Sequence, residues 1–197
     1  MENGPILVAM AGNPNVGKST LFNSLTGMRQ HTGNWAGKTV TLAQGQCRSG
    51  DRVFRLVDVP GAYSLMTDSA EEELARDFIC FGQAALVVLV CDAGCLERNM
   101  DLVLQTMERG RRVLVCVNLM DEAARRGIRV DLEKLSRRLG VPVVGTVAGR
   151  RDSRERLLRA MGEAMDREVP PPLRIPYPTP IEDAVERLLP LAARAAG

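Results

Sequence analysis

The sequence has little of several features that would indicate other classes of protein. Its net charge is only +2 over 197 residues, which by itself is too small to indicate a nucleic-acid or membrane-surface role. No apolar run approaches the roughly 20 residues that a helix needs to cross a bilayer, and the short apolar run near the start does not read as a secretory signal. We therefore expect a soluble chain, either independent or the cytosolic part of a membrane protein.

Cysteine and histidine are too sparse to predict a disulfide framework or a metal centre. The 5 cysteines are odd in number, and Cys80, Cys91 and Cys116 lie in apolar runs, where a thiol behaves as a small hydrophobe. Cys91 and Cys95 have no second pair at metal-site spacing, and His31 is the only histidine. We predict reduced thiols in a cytosolic setting and no iron site built from these side chains.

The stretch from Gly12 to Thr20 organises the rest of the chain. It reads Gly-Asn-Pro-Asn-Val-Gly-Lys-Ser-Thr and fits G-x-x-x-x-G-K-[ST], the phosphate-binding P-loop. An apolar strand is predicted before it, and a helix over Lys18–Thr26 after it, which is the context that the motif requires. Backbone N–H groups would cradle the phosphates. Lys18 would reach the β and γ phosphates, and Ser19 would offer its hydroxyl to Mg²⁺.

A second motif, Asp58-Val-Pro-Gly61, follows a predicted strand over Val53–Asp58. In P-loop nucleotidases a carboxylate at such a strand end helps to hold Mg²⁺, and Gly61 would place a backbone N–H near the γ-phosphate. A plain Asp-x-Pro-Gly turn is the alternative, but the distance from the P-loop favours the magnesium role. Many G proteins have a glutamine next, which orients the attacking water; here the residue is Ala62, so slow hydrolysis is predicted.

A third motif selects the base. Asn118-Leu-Met-Asp121 follows an apolar strand, and the carboxylate of Asp121 can accept hydrogen bonds from both N1 and N2 of guanine, which adenine cannot offer. The motif therefore predicts GTP rather than ATP, with Asn118 tying this loop to the P-loop. Further on, Thr146-Val-Ala148 stands where guanine-binding proteins usually have Ser-Ala, and the backbone N–H of Ala148 could contact the guanine O6.

Strands that alternate with helices predict an α/β fold with a mostly parallel sheet of six or seven strands and helices on both faces. Within it, 28–38 is predicted to be a long mobile loop, Thr39–Gln46 an edge strand, and Val141–Val144 the last strand. Pro170-Pro-Pro172 marks a linker before an amphipathic helix over Ile181–Ala195. That helix either packs on the domain or begins a helical unit.

The order of these motifs is that of a small G protein, and further stretches resemble one family. Nearly all of the first 165 residues closely resemble the N-terminal domain of the bacterial ferrous iron transporter FeoB. The resemblance rests on Gly12-Asn-Pro-Asn15, Gly33-Asn-Trp35, Thr39, Asp58-Val-Pro-Gly-Ala-Tyr-Ser-Leu65, Ala75-Arg-Asp-Phe78, Leu96-Glu-Arg-Asn99 and Asn118-Leu-Met-Asp-Glu-Ala123. Tyr177-Pro and Ile181-Glu182 are similar to the start of that family's helical regulatory region.

The resemblance implies a Ras-like P-loop GTPase attached to an Fe²⁺ transporter at the cytoplasmic face of the inner membrane. Residues 1–168 would form the GTP-binding (G) domain, and 169–197 the linker and first helix of the helical region. The partners implied are GTP and GDP and the membrane-spanning Fe²⁺ permease region of the same full-length chain. A homo-oligomer is allowed, and no nucleic acid is expected.

The resemblance also implies a cation mechanism. In that family K⁺ stimulates GTP hydrolysis, and the asparagine that matches Asn15 is a K⁺ ligand. The Gly33-Asn-Trp35 loop would be the first switch, and Thr39 would reach Mg²⁺ in the GTP state. This chain departs from the family pattern at Lys38, beside the first switch, and at Val147, where the family has serine. We expect Lys38 to perturb K⁺ or phosphate contacts and Val147 to favour fast GDP release.

Together these arguments predict a full set of site residues. The residues predicted to bind nucleotide are Gly12, Asn13, Pro14, Asn15, Val16, Gly17, Lys18, Ser19, Thr20, Gly37, Lys38, Thr39, Asp58, Val59, Pro60, Gly61, Asn118, Leu119, Met120, Asp121, Thr146, Val147 and Ala148. Those predicted to act in hydrolysis are Asn15, Lys18, Thr39 and Gly61. The metal ligands predicted are Ser19, Thr39 and Asp58 for Mg²⁺ and Asn15 for K⁺.

Two other functions share the same motifs. One is a soluble K⁺-activated GTPase of ribosome assembly or tRNA modification, which usually carries an RNA-binding or partner domain; no basic stretch interleaved with aromatic residues is visible here. The other is a binding module that is gated by guanine nucleotide and has negligible hydrolysis, which only kinetics would separate from an enzyme.

Overall fold

The computed structural model describes residues 4–27, 30–34, 41–66, 69–169 and 171–196. Over these residues seven strands form one sheet in the order β2-β3-β4-β1-β5-β6-β7. The strands are β1 (Ile6–Gly12), β2 (Gln30–Asn34), β3 (Thr41–Ser49), β4 (Arg52–Asp58), β5 (Leu86–Asp92), β6 (Val113–Asn118) and β7 (Val143–Gly145). β2 and β3 are antiparallel to their neighbours and the other pairings are parallel, so the predicted mostly parallel α/β sheet is confirmed.

Seven α-helices lie among the described residues. They are α1 (Lys18–Thr26), α2 (Ala70–Phe81), α3 (Leu96–Glu108), α4 (Met120–Arg125), α5 (Leu132–Leu139), α6 (Arg151–Asp166) and α7 (Thr179–Ala196). Two helix caps follow from local sequence, because Ser69-Ala-Glu-Glu72 fits a capping box and Asp131 stands directly before α5. The structure confirms both: the Ser69 hydroxyl accepts from the Glu72 N–H at 3.2 Å, and the Asp131 carboxylate accepts from the Lys134 N–H at 2.9 Å. Each cap satisfies a backbone donor that has no partner within its helix.

Two hydrophobic layers lie on opposite faces of the sheet. Alternate residues of β1 face opposite ways, so Val8 and Met10 pack in one layer with α1 and α6, while Ala9 and Ala11 pack in the other with α2 and α3. Phe22 of α1 is 1% exposed, and burying a side chain of this size contributes roughly 1.5–3 kcal/mol. Helices on both faces therefore hold the carboxyl ends of the parallel strands in place, and the loops that follow those ends build the site.

The structure corrects three predictions at the sheet edges. Part of the predicted loop 28–38 is a strand, because Gln30–Asn34 pairs through its backbone with β3 and an edge strand needs no apolar alternation. The strand predicted over Thr39–Gln46 spans Thr41–Ser49 and lies between β2 and β4, so it is not an edge. The strand predicted over Val141–Val144 spans Val143–Gly145, since Pro142 has no N–H for the ladder.

The last helix lies outside both hydrophobic layers. α7 begins two residues before the predicted start, and all of its residues with described side chains are exposed. Ile181, Val185, Leu188 and Leu189, which share one face, are between 45% and 60% exposed. Of the two alternatives given for this helix, packing on the domain is therefore not what the structure shows. Among the described residues, no helix is both long enough and apolar enough to cross a membrane.

Candidate nucleotide-binding site

Two glycines of the P-loop are required by their surroundings. A Cβ at Gly12, where β1 ends, would lie 2.3 Å from the carbonyl oxygen of Val90 on the neighbouring strand. A Cβ at Gly17 would lie 2.5 Å from Nδ2 of Asn118, and its φ of +78° is in the left-handed region, which side chains with a Cβ rarely adopt. The loop can therefore close between β1 and α1 only because these positions carry no side chain.

The P-loop lines a cleft of about 410 Å³ at the carboxyl end of the sheet. All of its lining residues belong to the predicted site: Asn13, Pro14, Asn15, Gly17, Lys18, Ser19, Thr20 and Gly61. Gly61 comes from the segment after β4, which is brought beside the P-loop because β1 and β4 are parallel neighbours. A Cβ on Gly61 would lie 3.1 Å from the nitrogen and Cγ of Pro14, so the Asp58–Gly61 segment contacts the P-loop closely.

Asp58 contacts both P-loop side chains that are predicted to bind phosphate and metal, Lys18 and Ser19. Its carboxylate accepts from Nζ of Lys18 through one oxygen and from the Ser19 hydroxyl at 3.0 Å through the other. A hydroxyl and a carboxylate side by side are the hard oxygen donors that Mg²⁺ prefers. Ser19 and Asp58 therefore fit a magnesium site, and the phosphate role predicted for Lys18 would require it to exchange a carboxylate for phosphate oxygens.

A buried chain of hydrogen bonds fixes the base side of the site. Nδ2 of Asn118 donates to the carbonyl of Val16 at 3.0 Å, so the predicted tie from this loop to the P-loop is confirmed. Oδ1 of Asn118 accepts from the Thr146 hydroxyl at 3.0 Å. Since that hydroxyl has one hydrogen, the Cys116 thiol 3.2 Å away is the donor to its oxygen. Burial raises the pKa of the Cys116 thiol to about 12, so the thiol keeps the proton that it donates.

Asp121 presents its carboxylate at the surface. Its side chain is 44% exposed and pairs with Arg125 one turn along α4, with a closest N–O distance of 3.1 Å. Leu119, two residues earlier, has a φ of +59°, a conformation that costs free energy in a residue with a Cβ. The strained turn sends Asn118 inwards and Asp121 outwards, so the first residue anchors the motif and the second lies at the surface, paired only with an exposed arginine among the described residues.

The remaining predicted site residues differ in their contacts and exposure. The Val147 N–H donates to the Ser153 hydroxyl at 3.0 Å, so α6 holds the Thr146–Ala148 loop. The Asn15 side chain lies exposed at the cleft, and its φ is +64°. Gly37, Lys38 and Thr39 lie outside the described residues, as does the departure at Lys38.

A larger cleft of about 530 Å³ lies elsewhere, between the start of α3 and α5. It contains none of the predicted site residues and no glycine-rich loop, so the smaller P-loop cleft is the candidate site. Within the part of the chain that the structure describes, no three His, Cys, Asp or Glu side chains cluster as a metal site.

Comparison with known proteins decides the family. The family model described as ferrous iron transport protein B matches residues 6–161, a span that includes the whole P-loop cleft and the Asn118–Thr146 network. The chain belongs to the FeoB family. It contains the family's N-terminal G domain, with the Ras-like P-loop fold that the resemblance implied. The alternative of a soluble GTPase of ribosome assembly or tRNA modification is therefore wrong.

Curated FeoB relatives match the same region. The Fe(2+) transporter FeoB of Salmonella typhimurium is 45% identical over 166 residues, which are 82% of this chain and 21% of that protein. The Fe(2+) transporter FeoB of Escherichia coli K12 is 44% identical over the same shares. The chain thus spans about a fifth of the length of the curated relatives that it matches.

Solved FeoB structures share the fold. The cytosolic domain of T. maritima FeoB in a GDP form has a TM-score of 0.87 at 34% identity, over 93% of this chain and 72% of that one. The FeoB G domain from Methanococcus jannaschii has a TM-score of 0.72 at 41% identity, over 83% of this chain and 99% of that one. The fold of the FeoB G domain therefore holds for the described part of the chain.

Sequence reasoning missed several contacts of this FeoB domain. Asn13 and Arg98 meet between the P-loop and α3, and Tyr63 lies against the same arginine. These residues are part of the stretches that mark the resemblance, but a motif alone does not say which of its residues will touch. The buried place of Thr146 was also missed, because its contact with Cys116 depends on the pairing of β6 and β7.

Proposed function

We propose that this domain binds GTP and GDP with Mg²⁺ and hydrolyses GTP slowly, as the nucleotide switch of an Fe²⁺ transporter. The observation that carries the proposal is the P-loop cleft, joined through the buried Asn118 amide to the loop that carries Asp121. An exposed carboxylate at that position fits the N1 and N2 donors of guanine. T. maritima relatives have been solved in GDP and GMPPNP forms, which supports the choice of guanine nucleotides for this chain.

Magnesium and potassium would have different ligands. Ser19 and Asp58, with Thr39 from the first switch, would hold Mg²⁺, which neutralises charge on the β and γ phosphates. Asn15 would hold K⁺ at the edge of the cleft, where its amide oxygen is available to an ion. The buried Ala62, 1% exposed, offers no group to orient water. Hydrolysis by this domain therefore depends on charge stabilisation by Lys18, the cations and the Gly61 backbone.

The whole protein would place this switch at the cytoplasmic face of the inner membrane. Residues 1–168 would be the GTP-binding domain, and 169–197 a linker and the first helix of a helical regulatory region. A membrane-spanning Fe²⁺ permease would follow in the full-length chain, and a homo-oligomer is compatible with this arrangement. The exposed apolar face of α7 supports this division, because it separates the helix from both hydrophobic layers of the domain.

The first experiment compares GTP hydrolysis in KCl and in NaCl at equal ionic strength. We expect K⁺ to raise the rate by about tenfold or more, since a fixed cation beside developing phosphate charge is worth several kcal/mol. Asn15→Ala removes the amide but also strains a left-handed backbone. Asn15→Gly removes the amide without that strain and is therefore the decisive variant, in which the K⁺ stimulation should be lost.

The possible outcomes distinguish the remaining hypotheses about function. Equal rates in the two salts, with nucleotide binding intact, would contradict the cation mechanism. No hydrolysis in either salt would favour the binding module that is gated by guanine nucleotide.

Stopped-flow release of a fluorescent GDP tests the expectation for Val147: restoring the family's serine with Val147→Ser should slow release, and unchanged release would reject that expectation.

A further inference from the structure

The segment that follows Asp58 is held between the P-loop and α3. On the P-loop side, the Ala62 N–H donates to the Gly12 carbonyl at 3.2 Å, and Gly61 lies against Pro14. On the α3 side, the Leu65 N–H donates to Oε1 of Gln105 at 2.6 Å. Gly61 and Ala62 thus contact the P-loop and Leu65 contacts α3, and Gly61 forms part of the wall of the phosphate cleft.

Tyr63 adds a second contact with α3. The guanidinium carbon of Arg98 lies 4.5 Å from the centroid of the Tyr63 ring, within the range at which a cation is attracted to an aromatic face. Arg98 and Gln105 are seven residues apart, which places them two turns apart on the same face of α3. We call this pair the α3 clamp.

A hydrogen bond from Asn13 connects the P-loop to the Arg98 end of the α3 clamp. Its Nδ2 donates to the Arg98 carbonyl at 3.3 Å, which fixes the orientation of the amide because a carbonyl cannot donate. The side chain is only 3% exposed, and its Oδ1 has no hydrogen-bond partner among the described residues. An unpaired buried oxygen costs free energy, so packing alone does not explain an asparagine here. The hydrogen bond from its Nδ2 to the Arg98 carbonyl explains the asparagine.

We propose that Arg98 and Gln105 are positioning residues for GTP hydrolysis. Through Tyr63 and the Leu65 N–H they hold the segment after Asp58 in the place where Gly61 lines the phosphate cleft. The inference rests on the proposed function, because Gly61 matters to the γ-phosphate and not to GDP. Loss of the α3 clamp therefore lowers the hydrolysis rate and leaves GDP affinity nearly unchanged.

The test measures the single-turnover rate of GTP hydrolysis and the Kd for GDP in each variant. Arg98→Ala should lower the rate by about two- to fivefold, the value of an exposed cation–π contact, with less than a twofold change in GDP affinity. Arg98→Lys and Tyr63→Phe keep a cation or an aromatic face and should retain most of the rate. Arg159→Ala, an exposed arginine on the opposite face of the sheet, is the matched control for loss of charge.

Gln105 gives a second pair of variants. Gln105→Ala leaves the Leu65 N–H without its acceptor and should lower the rate by about three- to tenfold, the value of a hydrogen bond of ordinary strength. Gln105→Glu keeps an acceptor oxygen at the same position and should recover most of this loss. A purely structural role would lower GDP affinity and thermal stability in Gln105→Ala along with the rate.

The coupling between Arg98 and Tyr63 decides the proposal. In a Tyr63→Leu background, Arg98→Ala should have no further effect on the rate. Additive losses, or an unchanged rate in Arg98→Ala, would overturn the inference. If the wild-type domain hydrolyses no GTP, the proposed function fails; the affinity ratio for GMPPNP over GDP then tests the clamp, which is supported if Arg98→Ala lowers the ratio and rejected if the ratio is unchanged.

Discussion

The base side and the phosphate side of the cleft are held by different kinds of contact. On the base side, Asn118 and Thr146 are each 0% exposed, and their side chains bond to groups of the fold itself. On the phosphate side, Lys18 and Ser19 bond to Asp58, and all three are residues that the proposed ligand would use. The buried contacts of the base side are therefore part of the core, whereas the phosphate side would exchange its contacts on binding the proposed nucleotide.

This difference indicates which substitutions should change the free energy of unfolding and which should change nucleotide affinity. A hydrogen bond between buried groups cannot be replaced by water, so its loss appears in the free energy of unfolding. A contact made by a group at the surface, such as the Ser19 hydroxyl, can be replaced by water or by ligand, so its loss appears mainly in binding. Variants on the two sides should therefore affect different measurements.

The largest effect on stability is expected for Asn118→Ala. The change leaves the Val16 carbonyl without this donor and the Thr146 hydroxyl without its acceptor, and it opens a space beside the P-loop. We expect the free energy of unfolding to fall by about 2–4 kcal/mol, measured by urea denaturation followed by circular dichroism. Thr146→Val removes one of these bonds and should cost about half as much, whereas equal stability of Asn118→Ala and wild type would remove the distinction between the two sides.

For Ser19→Ala we expect a small effect on stability and a larger effect on nucleotide binding. The hydroxyl is at the surface and its single bond to Asp58 is replaceable, so the free energy of unfolding should change by less than about 1 kcal/mol. Loss of a magnesium ligand should weaken Mg²⁺-dependent GTP binding by roughly tenfold or more, as shown by titration with and without Mg²⁺. Ser24→Ala, which removes a hydroxyl from α1 outside the cleft lining, is the control, and a stability loss as large as that of Asn118→Ala would contradict the comparison.

The smallest effect is expected for Arg125→Ala. The exposed pair between Arg125 and Asp121 is worth at most about 1 kcal/mol, and its removal frees the carboxylate for guanine. GDP affinity should rise by about fivefold or less, and the free energy of unfolding should change by less than about 1 kcal/mol. Arg126→Ala removes the next arginine, which has no ion pair among the described residues, and should leave affinity unchanged. A marked fall in affinity for Arg125→Ala would show instead that the arginine positions Asp121 for the base.

Local patterns predicted the parts of the molecule that depend on neighbours in sequence. The P-loop, the bounds of α1 and the Ser69 and Asp131 caps follow from a few adjacent residues, so the sequence alone was sufficient. β2 was missed because its polar residues carry no periodic signal and its pairing with β3 is made through the backbone. The Cys116–Thr146 and Arg98–Tyr63 contacts join distant segments, which only the sheet order brings together.

The exposed face of α7 also makes the protein a weak amphiphile. One side of an otherwise charged helix presents Ile181, Val185, Leu188 and Leu189 to water, and contiguous apolar surface favours association. Added salt screens the repulsion between charged molecules but leaves this attraction in place. The osmotic second virial coefficient should therefore fall as salt is added, so dilute, low-salt solutions keep the protein dispersed while concentrated, high-salt solutions promote its self-association.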